Sequence, residues 1–544
     1  MLSTVTLLAA AALTGVLYLI GLVVYRLYFH PLAHYPGPKL AAATVWYEFY
    51  YDGIQRGQYT FKIQEMHDKY GPIVRISPDE LHCNDPTFID TLYAGGSVRR
   101  DKYEYFASQF GVFGTVHHNL HRLRRGAMNR FFSKASVTKL EPTIHEKIDK
   151  LCRQLSTHAG SHKPVQLNMA FSCFTTDVVT TYAFAKCYDF LEDASFETNF
   201  HAPIVAGTDL GPYIKQFRFL LPLMRSLPDS WVAALNPDAE IYLQFQRDVK
   251  AQVRETQAQR GLGSELAKEQ NLHATIFHQL LESDLPENEK TAERLWQEGQ
   301  IIIGAGTETT AWTLSVILFY ILRDRSIYQT LMAELETAIP DPLSRPTCTE
   351  LERLPYLISL SRSLPIPRPS FPILLTAPHS ACISEGLRLS YGVSTRLQRV
   401  SPDGPMVYRP SKEFGLFSAA AGEVKSEYVI PQGTPVGMTS VLVHHNEKLF
   451  PCSKKFDPSR WLDSEGRRDR TMEKYILSFS RGSRQCIGIN LAYAELFMMT
   501  ALLLRRLGSR LSLFETGLDD VEILHDCFVP LPKLDTKGIR VVVN

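Results

Sequence analysis

The residues best suited to chemistry lie in one run, Phe479-Ser-Arg-Gly482-Ser-Arg484-Gln-Cys486-Ile-Gly488, ahead of a helical run from Asn490 to Arg506. A cysteine thiolate at a helix start faces backbone N–H groups and the positive end of the macrodipole, which lower its pKa and partly neutralise its charge. Glycines at 482 and 488 let the backbone approach a flat ligand closely. Arg484, two residues before the sulfur, can point at an anionic group on that ligand. Thiolate, close backbone and neighbouring cation together describe a cradle for haem iron and its propionates. A thiolate axial ligand also favours O–O cleavage. Cys-x-Gly alone carries almost no information, whereas the ten-residue pattern is rare by chance.

A second group sits inside a long, largely apolar run from Glu293 to Arg323, which as one helix is roughly 45 Å long. It reads Ala305-Gly306-Thr307-Glu308-Thr309-Thr310. A glycine inside a helix costs about 1 kcal/mol relative to alanine, so Gly304 and Gly306 need a reason. A locally weakened backbone would leave room for a diatomic ligand and water. Thr309 supplies a hydroxyl and Glu308 an acid, a pair suited to delivering protons to bound oxygen. In Glu385-Gly-Leu-Arg388 the first and last residues share a helix face and can form an ion pair.

These segments resemble the cytochrome P450 family, and the resemblance extends over nearly the whole chain. It implies Cys486 as the axial ligand of haem b, with Phe479, Gly482, Arg484 and Gly488 in the haem-binding loop, and Glu308 and Thr309 as the catalytic pair. It implies that Arg460, in Phe456-Asp-Pro-Ser-Arg460-Trp461, joins Glu385 and Arg388 in a buried structural triad. His121-Arg-Leu-Arg-Arg125 stands where the family has Trp-x-x-x-Arg, both side chains of which reach a haem propionate. This chain has His121 in place of the tryptophan; Arg125 matches, and Arg399 is a third propionate partner. The implied fold is mostly α (α+β), a helix-rich body with small sheets. The implied activity is hydroxylation or epoxidation of an apolar small molecule with O2 and electrons from an NADPH-cytochrome P450 reductase, since no flavin- or dinucleotide-binding segment is visible. The runs Arg75-Ile-Ser-Pro-Asp-Glu-Leu-His and His118-Asn-Leu-His-Arg-Leu-Arg-Arg are similar to fungal secondary-metabolism members, which suggests a terpenoid or polyketide-derived substrate. A peroxide-driven or isomerising enzyme, or a non-catalytic haem-binding relic, are the competing readings; an intact Glu308 and Thr309 argue against the former.

The elements that must position these groups are legible in outline. Ile73 to Ile76 and Ile539 to Val543 read as strands, and Tyr428-Val-Ile-Pro-Gln-Gly-Thr434 as a strand and turn. Ile144, Ile148, Leu151 and Leu155 recur at helical spacing between Glu141 and Ser156. The uncharged stretch Ser3–Tyr25 is long enough to cross a ~30 Å hydrocarbon core. Its apolar run is longer than a signal peptide's and is followed by Arg26 and aromatics, so it reads as a retained single-pass anchor with the body on the cytosolic side of the endoplasmic reticulum membrane. Tyr35-Pro-Gly-Pro38 cannot continue that helix. The expected division is an anchor at 1–28, a Pro-rich hinge at 29–58 and a haem domain at 59–544.

The formal net charge of +1 gives no electrostatic reason to expect nucleic acid as a partner. Nine cysteines, an odd number without a Cys-x-x-Cys pair, argue against a disulfide framework or a zinc site. The basic run Arg122, Arg124, Arg125, Arg130, Lys134 and Lys139 could form a docking face for an acidic reductase. The segments expected around the substrate are Tyr103–His118, Ile204–Met224, Ile301–Gly304, Val393–Thr395 and Phe528–Pro530. Their mostly apolar composition favours a ligand with little formal charge. Residues 359–380 do not fit: five prolines exclude a helix, and the stretch separates Leu354-Pro-Tyr-Leu357 from Ala381-Cys-Ile-Ser-Glu385, which the family holds about one residue apart. It reads as a retained intron or, alternatively, a surface loop; a weaker version of the same doubt covers 409–425.

Overall fold

The computed structural model describes residues 4–108, 111–197, 200–235, 239–259, 275–354, 379–411, 425–464 and 467–544. Most of the Pro-rich stretch 359–380, and 412–424 of the second stretch, lie outside the described residues.

Five helices build much of the core. Helix α1 (Thr4–Val24) stands apart from them, and α2 (His118–Asn129) lies on the surface of the body. Helix α3 (Glu141–Thr157) starts with an acid and a proline in its first turn, both favourable there, and buries Ile144, Ile148, Leu151 and Leu155 completely. Helix α4 (Leu167–Phe184) is buried on nearly every face. A short helix, α5 (His201–Asp209), crosses the body without burying any residue. The long helix α6 (Ala292–Arg323) is capped by Thr291, whose hydroxyl accepts from the Arg294 N–H, and carries Arg323 in its last turn. It runs the width of the molecule beside α4; Thr175 Oγ1 donates to the Thr307 carbonyl at 2.9 Å. Helix α7 (His379–Ser390) and helix α8 (Ile489–Leu507) complete the core around it.

One sheet matters for the site. Strands β1 (Ile73–Arg75), β2 (Leu81–Cys83), β3 (Asp101–Lys102), β4 (Arg399–Val400) and β5 (Val436–Gly437) lie in the spatial order β1-β2-β5-β4-β3. The β2–β5 pair is parallel and the rest antiparallel. The register sets Lys102 opposite Arg399. Smaller sheets join Val165–Gln166, Arg540–Val543 and Leu511–Leu513, and two hairpins pair Met406–Tyr408 with Tyr428–Ile430 and His525–Cys527 with Val529–Leu531.

The apolar N-terminal helix runs on to Phe29, 26 residues in all, with its most apolar stretch unburied, so it is a candidate membrane span. Helix α6 is also long and apolar enough, but two-thirds of its most apolar stretch is buried in the protein, as a core helix should be. The segment after the anchor differs from a loose hinge. Leu32 and Tyr35 are buried, the Pro36 carbonyl accepts from the Arg75 N–H at 2.8 Å, and Arg75 in turn donates to the Arg26 carbonyl. Two prolines make the turn stiff, and these bonds fix it against β1.

Candidate haem-thiolate site

Cys486 sits between the loop from Phe479 and the start of α8. Its N–H donates to the Phe479 carbonyl at 2.8 Å, closing the loop. Ser480 and Gly482 both have positive φ, 52° and 70°. A side chain at Gly482 would collide with the Tyr93 and Ala94 carbonyls. Gly482 is therefore required to be glycine by its own fold contacts, a reason the sequence did not reveal. Gly488 is the residue preceding the first turn of α8; a Cβ there would lie 3.9 Å from the Cys486 sulfur. Phe479 packs against Tyr493 of α8 with ring centroids 5.2 Å apart.

The sulfur's electrostatics also differ from expectation. Cys486 is exposed on one side. The protein around the loop nevertheless raises its thiol above the ordinary value by desolvation, against the Gly488 N–H and the Arg125 charge, which lower it. The helix-start donors are present but do not prevail on their own. A metal cation deprotonates a coordinating thiol outright, so such a thiol becomes a thiolate on binding one.

Beside the loop lies a cluster of cations. Arg484 is buried and donates to three backbone carbonyls, those of Arg100, Thr115 and Val116. Arg399 is buried, donates to the Leu397 and Gln398 carbonyls, and reaches Ser480 Oγ at 3.4 Å. Arg125 donates to the Gln485 carbonyl at 2.5 Å. Sequence reasoning missed a fourth cation: Lys102, 4% exposed, donates to the Phe113 carbonyl at 2.6 Å and sits opposite Arg399 in the β3–β4 ladder. No described carboxylate hydrogen-bonds to any of the four. Burial together with the charges of Arg484, Arg125, Lys102 and Arg399 holds His121 down to about 2, so its imidazole is neutral and keeps one N–H to donate. Burial and Arg399 bring Arg484 down to about 9, and burial with Arg399 and Arg484 drives Lys102 well below its ordinary value. Like charges facing each other across a ladder are destabilising. Three buried cations and the half-buried Arg125, none hydrogen-bonded to a described carboxylate, suit a ligand carrying more than one carboxylate, as the two propionates of haem would provide.

On the other side, α6 is unbroken from 292 to 323, so its glycines do not interrupt the helix. Gly306 is explained by close packing: a Cβ would come within 2.9 Å of Val179 on α4. Gly304 faces open space, Ala305 is exposed and Thr309 is partly so, giving a largely buried helix one open patch. The Thr309 hydroxyl donates to the Ala305 carbonyl at 2.8 Å. The Glu308 carboxylate, 7% exposed, accepts from His201 of α5 at 2.7 Å. Behind this patch Glu495 of α8, buried and pushed well above its ordinary value by desolvation, takes a hydrogen bond from Thr310 and links the two helices. The only sequence signal for it was one acid in an apolar helix.

Glu385, Arg388 and Arg460 are brought together. Arg388 grips both carboxylate oxygens of Glu385, at 2.8 and 2.7 Å, with both side chains fully buried. Arg388 also donates to the His444, Ser453 and Lys455 carbonyls. Glu385 accepts further from Arg460 Nε at 3.0 Å, Trp461 Nε1 at 2.9 Å and the Asp457 N–H. His444 carries the network onward: it bonds the Arg388 carbonyl through Nδ1 and the Leu477 N–H through Nε2, two residues before Phe479.

With this geometry in hand, the chain can be compared with known proteins. Residues 36–360 and 419–514 match the pattern of the family described as Cytochrome P450. The chain belongs to the cytochrome P450 family. The unmatched interval, 361–418, includes the Pro-rich stretch and also α7 with Glu385 and Arg388. The chain is 40% identical to the cytochrome P450 monooxygenase tpcC of Cochliobolus heterostrophus, over 97% of this chain and 96% of that one. It is 41% identical to the cytochrome P450 monooxygenase sdnE of Sordaria araneosa, over 99% and 98%. It is 39% identical to the tryptophan 6-hydroxylase fscE of Fusarium equiseti, over 98% and 96%. It is thus a haem-thiolate monooxygenase of the fungal secondary-metabolism type, using haem b, O2, an organic substrate and a redox partner.

The segments expected around the substrate converge, but not on an apolar surface. Tyr105, Thr208, Thr395 and Phe528, from four of the five, line a cavity of about 30 Å³. Glu48, Asp52, Asp526, Lys215 and Arg396 line it as well. Lys215 bonds Glu48 at 2.6 Å and Glu80 at 2.7 Å; desolvation, outweighing the Arg396 charge, pushes Asp52 up to about 7. The segments are apolar by composition; most of the charge comes from residues outside them, which sequence order could not place there. Residues 109–110 of the first segment lie outside the described residues.

Proposed function

We propose that Cys486 is the axial ligand of the haem, and that Lys102, His121, Arg125, Arg399 and Arg484 hold its propionates. The observation that carries this reading is the group of cations, three buried and Arg125 half-buried, without a hydrogen bond to a described carboxylate, beside a cysteine at a helix start. When bound, haem supplies the iron for O2 binding and electron uptake, and its thiolate ligand favours O–O cleavage. The chain's own residues do the rest. Phe479 and Gly482 shape the loop, and the Gly488 N–H donates to the sulfur, tempering its charge. The Thr309 hydroxyl and the Glu308 carboxyl stand at the open patch of α6 and move protons towards it. Glu385, Arg388 and Arg460 hold the loop's support and do not touch substrate.

Two outcomes test these assignments. Lys102→Gln removes one charged hydrogen-bond donor from the cradle, and such bonds are worth about 1.5–3 kcal/mol. Transfer of haem from the variant to apomyoglobin should therefore be about tenfold faster or more; an unchanged rate would remove Lys102 from the propionate site. Thr309→Ala keeps the helix but removes the hydroxyl. With reductase and NADPH it should divert electrons into hydrogen peroxide and lower the product formed per NADPH severalfold, by the usual worth of a positioned proton donor. Unchanged coupling would deny Thr309 that role.

The electron donor in this reading is an NADPH-cytochrome P450 reductase docking on the exposed Arg122, Arg130, Lys134 and Lys139 of the cysteine side. Arg124 belongs elsewhere, locked to Glu289 at 2.8 Å. The chain divides into an anchor at 1–28, a membrane-proximal segment at 29–58 and a haem domain at 59–544, held at the endoplasmic reticulum membrane with the body in the cytosol. Exposed Leu40, Trp46, Ile54, Phe219, Leu223 and Trp231 support a body resting on the bilayer beside that anchor. Residues 359–380 are a retained intron in this reading, and a clean transcript encoding them would refute that. The substrate is an apolar terpenoid or polyketide-derived molecule. The likeness to a tryptophan 6-hydroxylase favours a second reading, an indole amino acid. Haem difference spectra with N-acetyltryptophan, tryptophan and a sesquiterpene distinguish the two.

A further inference from the structure

The pairing of His201 with Glu308 has no counterpart in the roles assigned above. His201 is the first residue of α5, and its Nδ1 lies 2.7 Å from Glu308 Oε2. The histidine side chain is 24% exposed and the glutamate 7%, so the imidazole stands between solvent and an otherwise enclosed acid. The next residue along α6, Thr309, sits at the open patch. Solvent and imidazole thus lead to the Glu308 carboxylate, with Thr309 the next residue of α6.

The same contact has a mechanical side. Helix α5 buries none of its residues fully; Ile204 packs only partly buried against the core, so apolar burial holds the helix weakly. Its two ends are tied by ionic pairs instead: His201 to Glu308 on α6, and Asp209 to Arg56 at the other end. Phe200, buried just before α5 among Tyr188, Phe190 and Phe245, fixes where the helix begins. Burial lowers the His201 imidazole, but the charge and hydrogen bond of Glu308 outweigh it and leave the group above its ordinary value. A charge-assisted hydrogen bond of this kind is stronger than a neutral one and is geometrically specific.

We propose that His201 is a positioning residue for the reaction: it relays protons from solvent to Glu308, and it makes that supply depend on α5 being seated against α6. The inference rests on reading Glu308 and Thr309 as the proton-delivery pair. In each transfer the imidazolium gives its Nδ1 proton to the Glu308 carboxylate, the resulting neutral acid then releases a proton towards Thr309, and the neutral imidazole is reprotonated by hydronium from solvent. No electron moves in this step. Seating α5 completes the series; lifting it removes the donor from Glu308.

The test uses the full chain with haem and reductase, without added substrate, measuring NADPH oxidised, O2 consumed and hydrogen peroxide released. His201→Gln keeps a hydrogen-bond donor but cannot carry a proton. It should leave haem content and thermal stability unchanged, lower the share of electrons reaching water severalfold, and enlarge the solvent deuterium effect on that share. Glu308→Gln should do the same, and the double variant should be no worse than Glu308→Gln alone, as for two groups acting in series. In hydrogen exchange, His201→Ala and Glu308→Ala should each raise exchange over 201–209 by about tenfold, since either removes the tie. If His201→Gln matches the wild type while Glu308→Gln is impaired, the relay is overturned and the role of Glu308 stands. If Glu308→Gln also matches the wild type, the underlying reading of the acid falls. Unaltered exchange in both alanine variants would overturn the link to α5.

Discussion

Cys486→Ser is expected to abolish product formation altogether while leaving the fold intact. Serine is nearly isosteric, and the bond that closes the loop, from the residue 486 N–H to the Phe479 carbonyl, is made by backbone. The side chain is exposed on one side, so the substitution opens no cavity in the core. What changes is the donor atom. A thiolate pushes electron density onto iron and assists O–O cleavage; an alkoxyl side chain, with a far higher pKa and a harder oxygen, does not replace it. Turnover with reductase should drop to the level of haem-free protein, with the far-ultraviolet dichroism and the unfolding temperature close to those of wild type. Product formed at a wild-type rate would remove Cys486 from the mechanism.

Glu385→Ala is expected to be the most damaging substitution for stability. The carboxylate is fully buried and accepts from Arg388, Arg460, Trp461 and the Asp457 N–H. Removing it leaves the Arg388 guanidinium, itself fully buried, without an anion. Breaking a buried pair by deleting one partner costs about 3–5 kcal/mol. Against a typical domain stability of about 5–15 kcal/mol, that is a large fraction. Because His444 joins this network to Leu477, the damage should reach the cysteine loop and lower the haem bound per chain. Thermal unfolding and haem-to-protein ratio measure both effects. Glu385→Gln, which keeps the shape and one accepting oxygen but turns an NH2 donor towards the donors of the other, should fall between. An alanine variant that melts with the wild type would show the network to be dispensable.

The parts of this molecule that were legible in its sequence depend on short-range spacing. The loop from Phe479 to Gly488, the long helix and the Glu385–Arg388 pair each lie within a few turns of chain, so residue types alone suggest their partners. What was hidden depends on distant chain segments meeting. Lys102 resembles any surface lysine until the β3–β4 register sets it against Arg399. His201 gains its meaning from Glu308, 107 residues away. The charged cavity draws Glu48 and Lys215 together from opposite ends of the N-terminal half. Two glycines have close contacts that spacing could not reveal: Gly482 avoids the Tyr93 and Ala94 carbonyls, and Gly306 makes room for Val179. The thiol's shift was misjudged in sign, because spacing reveals the helix-start donors but not the burial that outweighs them.

The central claim, that the sulfur of residue 486 holds the iron, is tested most directly by the reduced carbon-monoxide spectrum of the full chain and of Cys486→His. The wild type should show the long-wavelength Soret band of a thiolate-ligated ferrous carbonyl. The histidine variant, if it keeps its pigment, should lose that band and show the shorter-wavelength band of histidine ligation. The same thiolate band in both proteins would place the ligand elsewhere and contradict the account.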